Sequence, residues 1–327
     1  MHVTIAASAR TGVKVLRQLA AALLTVLAVS AVTFLATNIK SPEDVARSTL
    51  GRNAAPEQIT AFVAANDLAA PQPERYGRWL GDFVQGDWGT SVVTDQPIAP
   101  ELAPRIGRTL LLAGVSFLVV VPLGIALGGY LAWRWGSRSD VAATSGLTML
   151  SALPEFVVGL GAILVFSVVL GVLPPESSTA IAFGTPQAQA QAYVLPALTM
   201  VLVAAPFLVR LTRASARESL TATPTRAATL RGLGRRVVFW DYGMRGAAVP
   251  ILNATGLTLV HLLGGTIVVE NLFGFPGLGQ ALVTAVGTGD TVAVQAIAVV
   301  TASLFIAASL LTDLLATVFN PRLRDIR

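Results

Sequence analysis

The chain has 327 residues, of which 54% are hydrophobic and 13% charged, and its mean hydropathy is +0.68. So few charged side chains cannot cover a soluble globule of this length, and the composition therefore predicts an integral membrane protein. The net charge of +5 comes from arginines near predicted membrane boundaries, which favours anionic lipid over nucleic acid as a partner. The lack of cysteine excludes disulfides and iron–sulfur clusters, and two histidines, His2 and His261, are too few to predict a metal site.

An uncharged run at residues 18–39 follows a basic stretch at residues 1–17. A secretory signal peptide has a shorter apolar region of about 7–15 residues, whereas a spanning helix needs about 20. We therefore predict that residues 18–39 are the first transmembrane helix and that residues 1–17 lie in the cytosol.

Residues 40–105 are polar and contain many prolines and glycines, which predicts a small helical subdomain outside the membrane. Pro56 and Glu57 suit the first turn of a helix, because proline needs no hydrogen bond there and an acid complements the helix dipole. A second amphipathic run places four large side chains on one face: Tyr76, Trp79, Leu80 and Phe83. This face either packs on the outer ends of the spans or docks a partner, and the sequence leaves both alternatives open.

Five further apolar stretches lie within residues 106–320: 109–133, 141–173, 195–209 with the residues before it, 250–269 and 291–318. Together with the first helix they give six spans. In the first of these stretches Gly124 and Gly128 are one helical turn apart, a spacing that lets another helix approach closely.

The basic residues lie mainly in the segments that a six-span topology places in the cytosol, so both termini, including a tail at residues 321–327, are predicted to be cytosolic. Arg105 and Arg108 are the exceptions, because they lie at the external end of the second span. We expect them to extend toward the membrane surface or to pair with acids such as Glu101.

Three ionisable residues fall inside predicted spans: Glu155, His261 and Asp313, the last of them near the cytosolic end of its span. Glu155 follows Pro154 in the third span, where the proline removes a helix hydrogen bond and a carboxyl group is costly in hydrocarbon. We hypothesise that Glu155 lines a translocation pathway and receives a cationic group of the substrate; the alternative is a protonated or arginine-paired structural glutamate. His261 in the fifth span is interpreted as a structural histidine, with a ligand-binding or proton-carrying role as the alternative.

Residues 226–250 form a basic segment between two strongly apolar ones. Ala227, Ala228 and Leu230 favour a short helix with a small-sided apolar face, and Gly232 predicts a bend before a second helical run. This face, surrounded by arginines, suits docking into a groove on a partner protein. A basic cytosolic loop without any further role is the alternative.

The chain contains no motif that would supply energy or catalysis. It has no Walker A loop, no G-x-S-x-G turn and no H-E-x-x-H helix. We therefore predict that it is not an enzyme, and that a transporter built from it takes its energy from elsewhere.

Several motifs resemble those of ABC importer permeases of the dipeptide, oligopeptide and nickel family. The family has an Ala pair followed by Gly and, further on, Pro in its coupling (EAA) loop, which corresponds to residues 213–247 and the adjoining Pro250. Arg226 stands where the general motif has an acid, as the peptide-importing branch allows. The other matching runs are APEQITAF, GDWGTS, SALPEFVVG, LVRLTRASARESL, VVENLFGFPGLG and DLLATVFNPRLR.

The resemblance implies the type I ABC importer permease fold with six transmembrane helices. It also implies a homologous second permease subunit, two ATP-binding domains that hold ATP and Mg²⁺, and an external substrate-binding protein. The residues that it places in contact with the ATPase are Arg226, Ala227, Ala228, Leu230, Arg231, Gly232 and Leu233.

The Gly- and Pro-rich residues 270–279 predict a tight re-entrant or surface loop with positive φ angles. We expect this loop to act at an external gate, with its glycines serving backbone geometry as the alternative. The candidate gate residues are Glu270, Phe273, Pro276 and Gly277.

The substrate remains open between peptides, nickel and another small solute. A secondary transporter driven by an ion gradient is the main rival from another class, although the spans contain few ionisable residues.

Overall fold

The computed structural model describes residues 2–38, 43, 46–47, 54–65 and 69–319. The predicted tail at residues 321–327 and parts of the predicted loop at residues 40–105 lie outside these ranges. The described ranges contain helices and no strands: α1 (His2–Thr37), α2 (Pro56–Ala65), α3 (Gln72–Val84), α4 (Ile98–Trp133), α5 (Arg138–Ser151), α6 (Glu155–Ala162), α7 (Ser178–Phe183), α8 (Pro186–Ala192), α9 (Val194–Thr221), α10 (Thr223–Leu230), α11 (Arg235–Val237), α12 (Ala248–Leu272), α13 (Leu278–Thr288) and α14 (Thr291–Phe319). Two π-helical stretches, Ile163–Val169 and Val238–Met244, continue α6 and α11.

Five helical segments are long and apolar enough to cross a membrane: Leu16–Thr37, Ile98–Trp133, Pro186–Thr221, Ala248–Leu272 and Thr291–Leu314. A sixth span requires that α5 and α6, with its π-helical continuation, count as one bent segment. The prediction of an all-α multi-span protein is thus confirmed. The chain falls into two compact units, one of residues 1–107 and 277–306 and the other of residues 108–276 and 307–327.

In the first unit, the amphipathic face of α3 packs on the first span. Tyr76 meets the Phe34 ring of α1 edge-on at 5.4 Å, and the Ser30 and Tyr76 hydroxyls are 2.7 Å apart. The predicted aromatic face therefore packs on the first span. This is one of the two alternatives that the sequence left open, the other being a docking site for a partner. The predicted pairing of Arg105 with Glu101 is also present, at 3.2 Å.

The second unit is built around α9, which packs against α12, α6 and α5. The predicted close approach at Gly124 and Gly128 is confirmed. A Cβ on Gly124 would lie 2.7 Å from the Leu208 side chain, and one on Gly128 would lie 2.6 Å from the Val209 carbonyl oxygen. These glycines thus let α4 lie directly on α9.

Replacing Gly128 by valine should destabilise this contact, because backbone cannot move aside as a flexible side chain can. We expect a loss of about 1–3 kcal/mol, seen as a lower thermal unfolding midpoint of the purified protein in detergent. Gly114→Val is the matched control on the same helix, since nothing lies within 4 Å of its Cβ position. Equal destabilisation by both variants would refute the contact.

The predicted third span is broken more severely than expected. We predicted one kinked helix over residues 141–173, whereas α5 and α6 are bent by 106° relative to each other. Pro154 has no amide proton and disfavours helical geometry at the residue before it, so the helix ends at Ser151 and restarts at Glu155.

Candidate functional site

The predicted coupling segment, residues 213–247, has the helix, bend and second helical run expected from its sequence. Helix α10 begins with a proline in its first turn and ends at Leu230. Gly232 has a φ angle of 83°, which is strained for any residue with a side chain, so glycine allows the chain to turn here. The chain then re-enters helical geometry at Arg235.

The side chains of α10 are not arranged as predicted. Ala228 is only 2% exposed and faces the interior of the protein, whereas Leu230 is 89% exposed. The prediction of a single outward face formed by Ala227, Ala228 and Leu230 is therefore wrong, because two residues two positions apart lie on opposite sides of a helix. Of the residues predicted to contact the ATPase, those that are exposed are Arg226, Leu230, Arg231, Gly232 and Leu233. We call this set the outer surface of the coupling segment.

The inner side of α10 is anchored to the end of α9. The Thr225 hydroxyl donates a hydrogen bond of 2.6 Å to the carbonyl oxygen of Ser219. Gly243, in the π-helical stretch after α11, lies against Leu220, where a Cβ would come within 2.7 Å of its side chain. These two contacts hold the segment that carries the outer surface against the end of α9.

Arg235 joins the coupling segment to the end of α4. Its guanidinium donates a hydrogen bond of 3.0 Å to the Trp133 carbonyl oxygen and lies 4.4 Å from the centre of the Trp133 ring. The same ring meets Phe239 edge-on at 5.0 Å. Stacking on an aromatic face and donation to a carbonyl suit the planar guanidinium better than a lysine ammonium.

A second contact joins α9 to the start of α5. Arg213 makes two hydrogen bonds to the fully buried Asp140 carboxylate, Nε to Oδ1 at 2.6 Å and Nη2 to Oδ2 at 2.7 Å. Its guanidinium also lies 3.9 Å from the centre of the Trp135 ring. The backbone N–H of Gly136 donates to Asp140 as well, so the turn between α4 and α5 is held from both sides.

Sequence reasoning missed both of these contacts. Trp133, Trp135 and Asp140 lie beside a short basic turn, and nothing local to that turn indicates partners 73 and 102 residues away. The available signal was the pairing of tryptophans with arginines at the ends of neighbouring spans.

The predicted pathway residue Glu155 begins α6, directly after Pro154. Its carboxylate lies 4.0 Å from Nε2 of His261 on α12, and it also lies beside Gly265. The structure therefore brings together two of the three ionisable residues that the sequence placed in separate spans.

The predicted external loop at residues 270–279 is shorter and more buried than expected. Helix α12 continues through Glu270 to Leu272, and α13 begins at Leu278, so only a brief turn separates two helices. Glu270 and Phe273 are buried, and the Thr109 hydroxyl donates a hydrogen bond of 2.6 Å to Glu270. The tight turn occupies only residues 273–277 of the predicted range, and the expected positive φ occurs at Gly274, at 57°.

The segment before α7 packs against this turn. The backbone N–H of Ser177 donates a hydrogen bond of 2.8 Å to the Phe273 carbonyl oxygen. Next to it, a hydrogen bond from the Ser178 hydroxyl lowers the pKa of the exposed Glu176 below its ordinary value. Glu176 also lies close to Gly274, where a Cβ would come within 3.1 Å of the carboxylate. The acidic side chain of Glu176 thus covers one side of this turn.

No group of three or more metal-ligating side chains is found in the part of the chain that the structure describes. The arrangement has an exposed basic and apolar surface, a buried turn, and an acid–imidazole pair between two apolar helices.

Comparison with known proteins matches residues 121–325 to the family "Binding-protein-dependent transport system inner membrane component". Residues 13–108 match a second family, which describes the N-terminal part of the membrane component of binding-protein-dependent transport systems. Both matches agree with the resemblance seen in the sequence motifs.

Individual relatives cover almost the whole chain. A probable peptide ABC transporter permease of Sinorhizobium fredii is 28% identical over 96% of this chain and 99% of its own length. A putative peptide transport system permease of Brucella abortus is 30% identical over 95% and 98%, respectively. The glutathione transport system permease GsiC of Pectobacterium atrosepticum is 34% identical over 86% and 90%.

Proposed function

Because this chain belongs to the family of binding-protein-dependent transport system inner membrane components, we propose that it forms half of the translocation pathway of an ATP-driven importer for small peptides. The other half is a homologous permease subunit. Two ATP-binding domains hold ATP and Mg²⁺, and an external binding protein delivers the substrate.

The observation that carries this proposal is the outer surface of the coupling segment. Leu230 projects almost fully into solvent between Arg226 and Arg231, which are also exposed. A large apolar side chain with a basic rim is a poor surface to leave in water and a good one to bury in an acid-lined groove of a partner. The ATP-binding domains are the partner that the family implies.

The coupling segment also has the connections needed to transmit movement. Arg235 holds the end of α4, and Arg213 holds the start of α5. A displacement of α10 therefore reaches two neighbouring spans through short, directional contacts. By this route ATP binding would reshape the pathway.

The substrate class follows from the relatives, which are named for peptides and for glutathione. We assign Glu155 and Pro154 to the pathway. We assign the turn with Glu270, Phe273, Pro276 and Gly277 to the external gate, which its packing against the segment before α7 supports.

The proposed topology places the protein in the cell membrane with both termini in the cytosol. Residues 1–17 and 321–327 are then cytosolic, 18–39 form the first span, 40–105 the external subdomain and 106–320 the remaining permease domain. The coupling segment at residues 213–247 lies on the cytosolic side, where its arginines satisfy the charge bias of membrane proteins.

Purification of the tagged chain from its native membrane in mild detergent tests the proposal. We expect an ATPase and a second permease to be recovered with it, and the ATPase to be lost when Gly232 is replaced by a bulky charged residue. Recovery of the chain alone, together with solute transport in vesicles driven by an ion gradient without ATP, would overturn the proposal in favour of a secondary transporter.

A further inference from the structure

Helix α12 exposes a stripe of residues that includes polar groups. Asn253, Leu257, His261 and Val268 are exposed and lie on one side of the helix at spacings of one or two turns. His261 lies halfway along α12, and its side chain is 54% exposed. An imidazole at this depth is costly in contact with lipid, so the stripe faces protein or a water-filled cavity.

Glu155 approaches this stripe from α6. Its carboxylate lies over Gly265, where a Cβ would come within 3.2 Å of Oε1, so the absence of a side chain makes room for it. The surrounding pocket is otherwise lined by Met200, Val203, Leu262 and Val269, which are all apolar. The carboxylate therefore lies in a small apolar recess that opens beside His261.

The described part of the chain leaves the acceptor positions of this carboxylate unused. Among the residues that the structure describes, no side chain or backbone N–H donates a hydrogen bond to Glu155, and the 4.0 Å to His261 is too long for one. A carboxylate in apolar surroundings without donors is unfavourable unless another group supplies them. A cationic hydrogen-bond donor would supply them and would also compensate the charge.

We propose that Glu155 and His261 form a subsite that binds the protonated primary amine of the transported solute. A primary ammonium carries three donors and is compact enough to enter beside Gly265. Every peptide with a free N-terminus other than proline has this group. The inference rests on the proposed function and adds to it the chemical feature of the substrate that the pathway recognises.

Within this subsite the two residues have different roles. Glu155 is the counter-ion that contacts the ammonium. His261 is a positioning residue, because its imidazole lies 4.0 Å from the carboxylate at the open side of the recess and limits the space through which the ammonium approaches. Loss of Glu155 should therefore reduce transport more than loss of His261.

The natural lack of cysteine allows a direct test in the complete importer reconstituted with its binding protein and ATPases. Glu155→Cys should lower ATP-driven uptake of a dipeptide such as alanyl-alanine at least about tenfold, as loss of a charged hydrogen-bonded partner predicts. Modification of the new thiol with sulfonatoethyl methanethiosulfonate restores a negative charge and should recover most of the uptake. The cationic reagent trimethylammonioethyl methanethiosulfonate should not.

Phe156→Cys is the matched control, because it is the next residue on α6 and is itself exposed. Neither reagent should raise its uptake. Recovery of Glu155→Cys by both reagents, or by neither, would overturn the subsite, since a packing role depends on bulk and not on the sign of the charge.

A second arm compares Glu155→Gln and His261→Asn with a dipeptide and its Nα-acetylated form. We expect losses of about tenfold and threefold for the free amine and no change in the residual uptake of the acetylated form. Equal losses for both forms, or nickel uptake abolished by both variants, would overturn amine recognition. Absence of any ATP-driven peptide uptake by the unaltered importer would instead refute the proposed function.

Discussion

Replacing Leu230 by glutamate is expected to abolish ATP-driven uptake while leaving the chain folded in the membrane. Leu230 is 89% exposed, so its removal costs the isolated chain little. In the assembled importer the same side chain would be the apolar centre of the contact with an ATP-binding domain. Loss of such a central residue costs about 2 kcal/mol or more, which is roughly a thirtyfold loss of affinity. Co-purification of the ATPase and ATP-driven uptake in vesicles measure this effect.

Thr221→Glu is the matched control for this experiment. Thr221 is exposed at the end of α9 and lies outside the outer surface of the coupling segment. This variant adds the same negative charge near α10 but outside the proposed contact, so the importer should retain its ATPase. Retention of the ATPase by Leu230→Glu, or equal loss from both variants, would contradict the assignment of this surface.

Replacing Asp140 by alanine is expected to have the largest effect on stability. Asp140 is fully buried and accepts two hydrogen bonds from Arg213. The Arg213 side chain is itself only 18% exposed. Removing one member of a buried ion pair leaves the other charge without compensation and costs about 3–5 kcal/mol. Thermal unfolding of the purified importer should show a clear fall in the midpoint.

Two comparisons show whether the ion pair is the cause. Asp140→Ala combined with Arg213→Met removes both charges, and it should recover much of the lost stability because no unpaired charge remains. Glu74→Gln removes one member of the exposed pair that Glu74 forms with Arg78 at 3.8 Å, and it should change the midpoint very little. A double variant as unstable as Asp140→Ala would show that the pair does not act as a unit.

Composition and local patterns were sufficient to predict the spans and the bend in the coupling segment. Long apolar runs correspond to helices because a spanning backbone must satisfy its own hydrogen bonds. Gly232 was recognisable because glycine adopts a positive φ easily, and Gly124 and Gly128 because their spacing places both on one side of a helix.

Features that depend on distant contacts were not predictable in this way. The inward orientation of Ala228 is set by what α10 packs against, and an eight-residue helix has too little periodicity to show it. Helix α13 was missed because the glycines and the proline before it indicated a tight loop and gave no sign of the helix that follows. The closeness of Glu155 and His261 depends on how far the chain turns at Pro154, and a proline alone does not specify that angle.

The break at Pro154 divides the predicted third span into two helical segments that meet at a pivot. The first, α5, is tied through Asp140 to the helix that leads into the coupling segment, whereas the second, α6, packs on α9 and α12. Rotation is cheapest where the ladder of helix hydrogen bonds is interrupted. Because Glu155 is the first residue beyond this pivot, we expect a small rotation of α5 to change the direction from which the carboxylate can be approached while α6 keeps its contacts with α9 and α12.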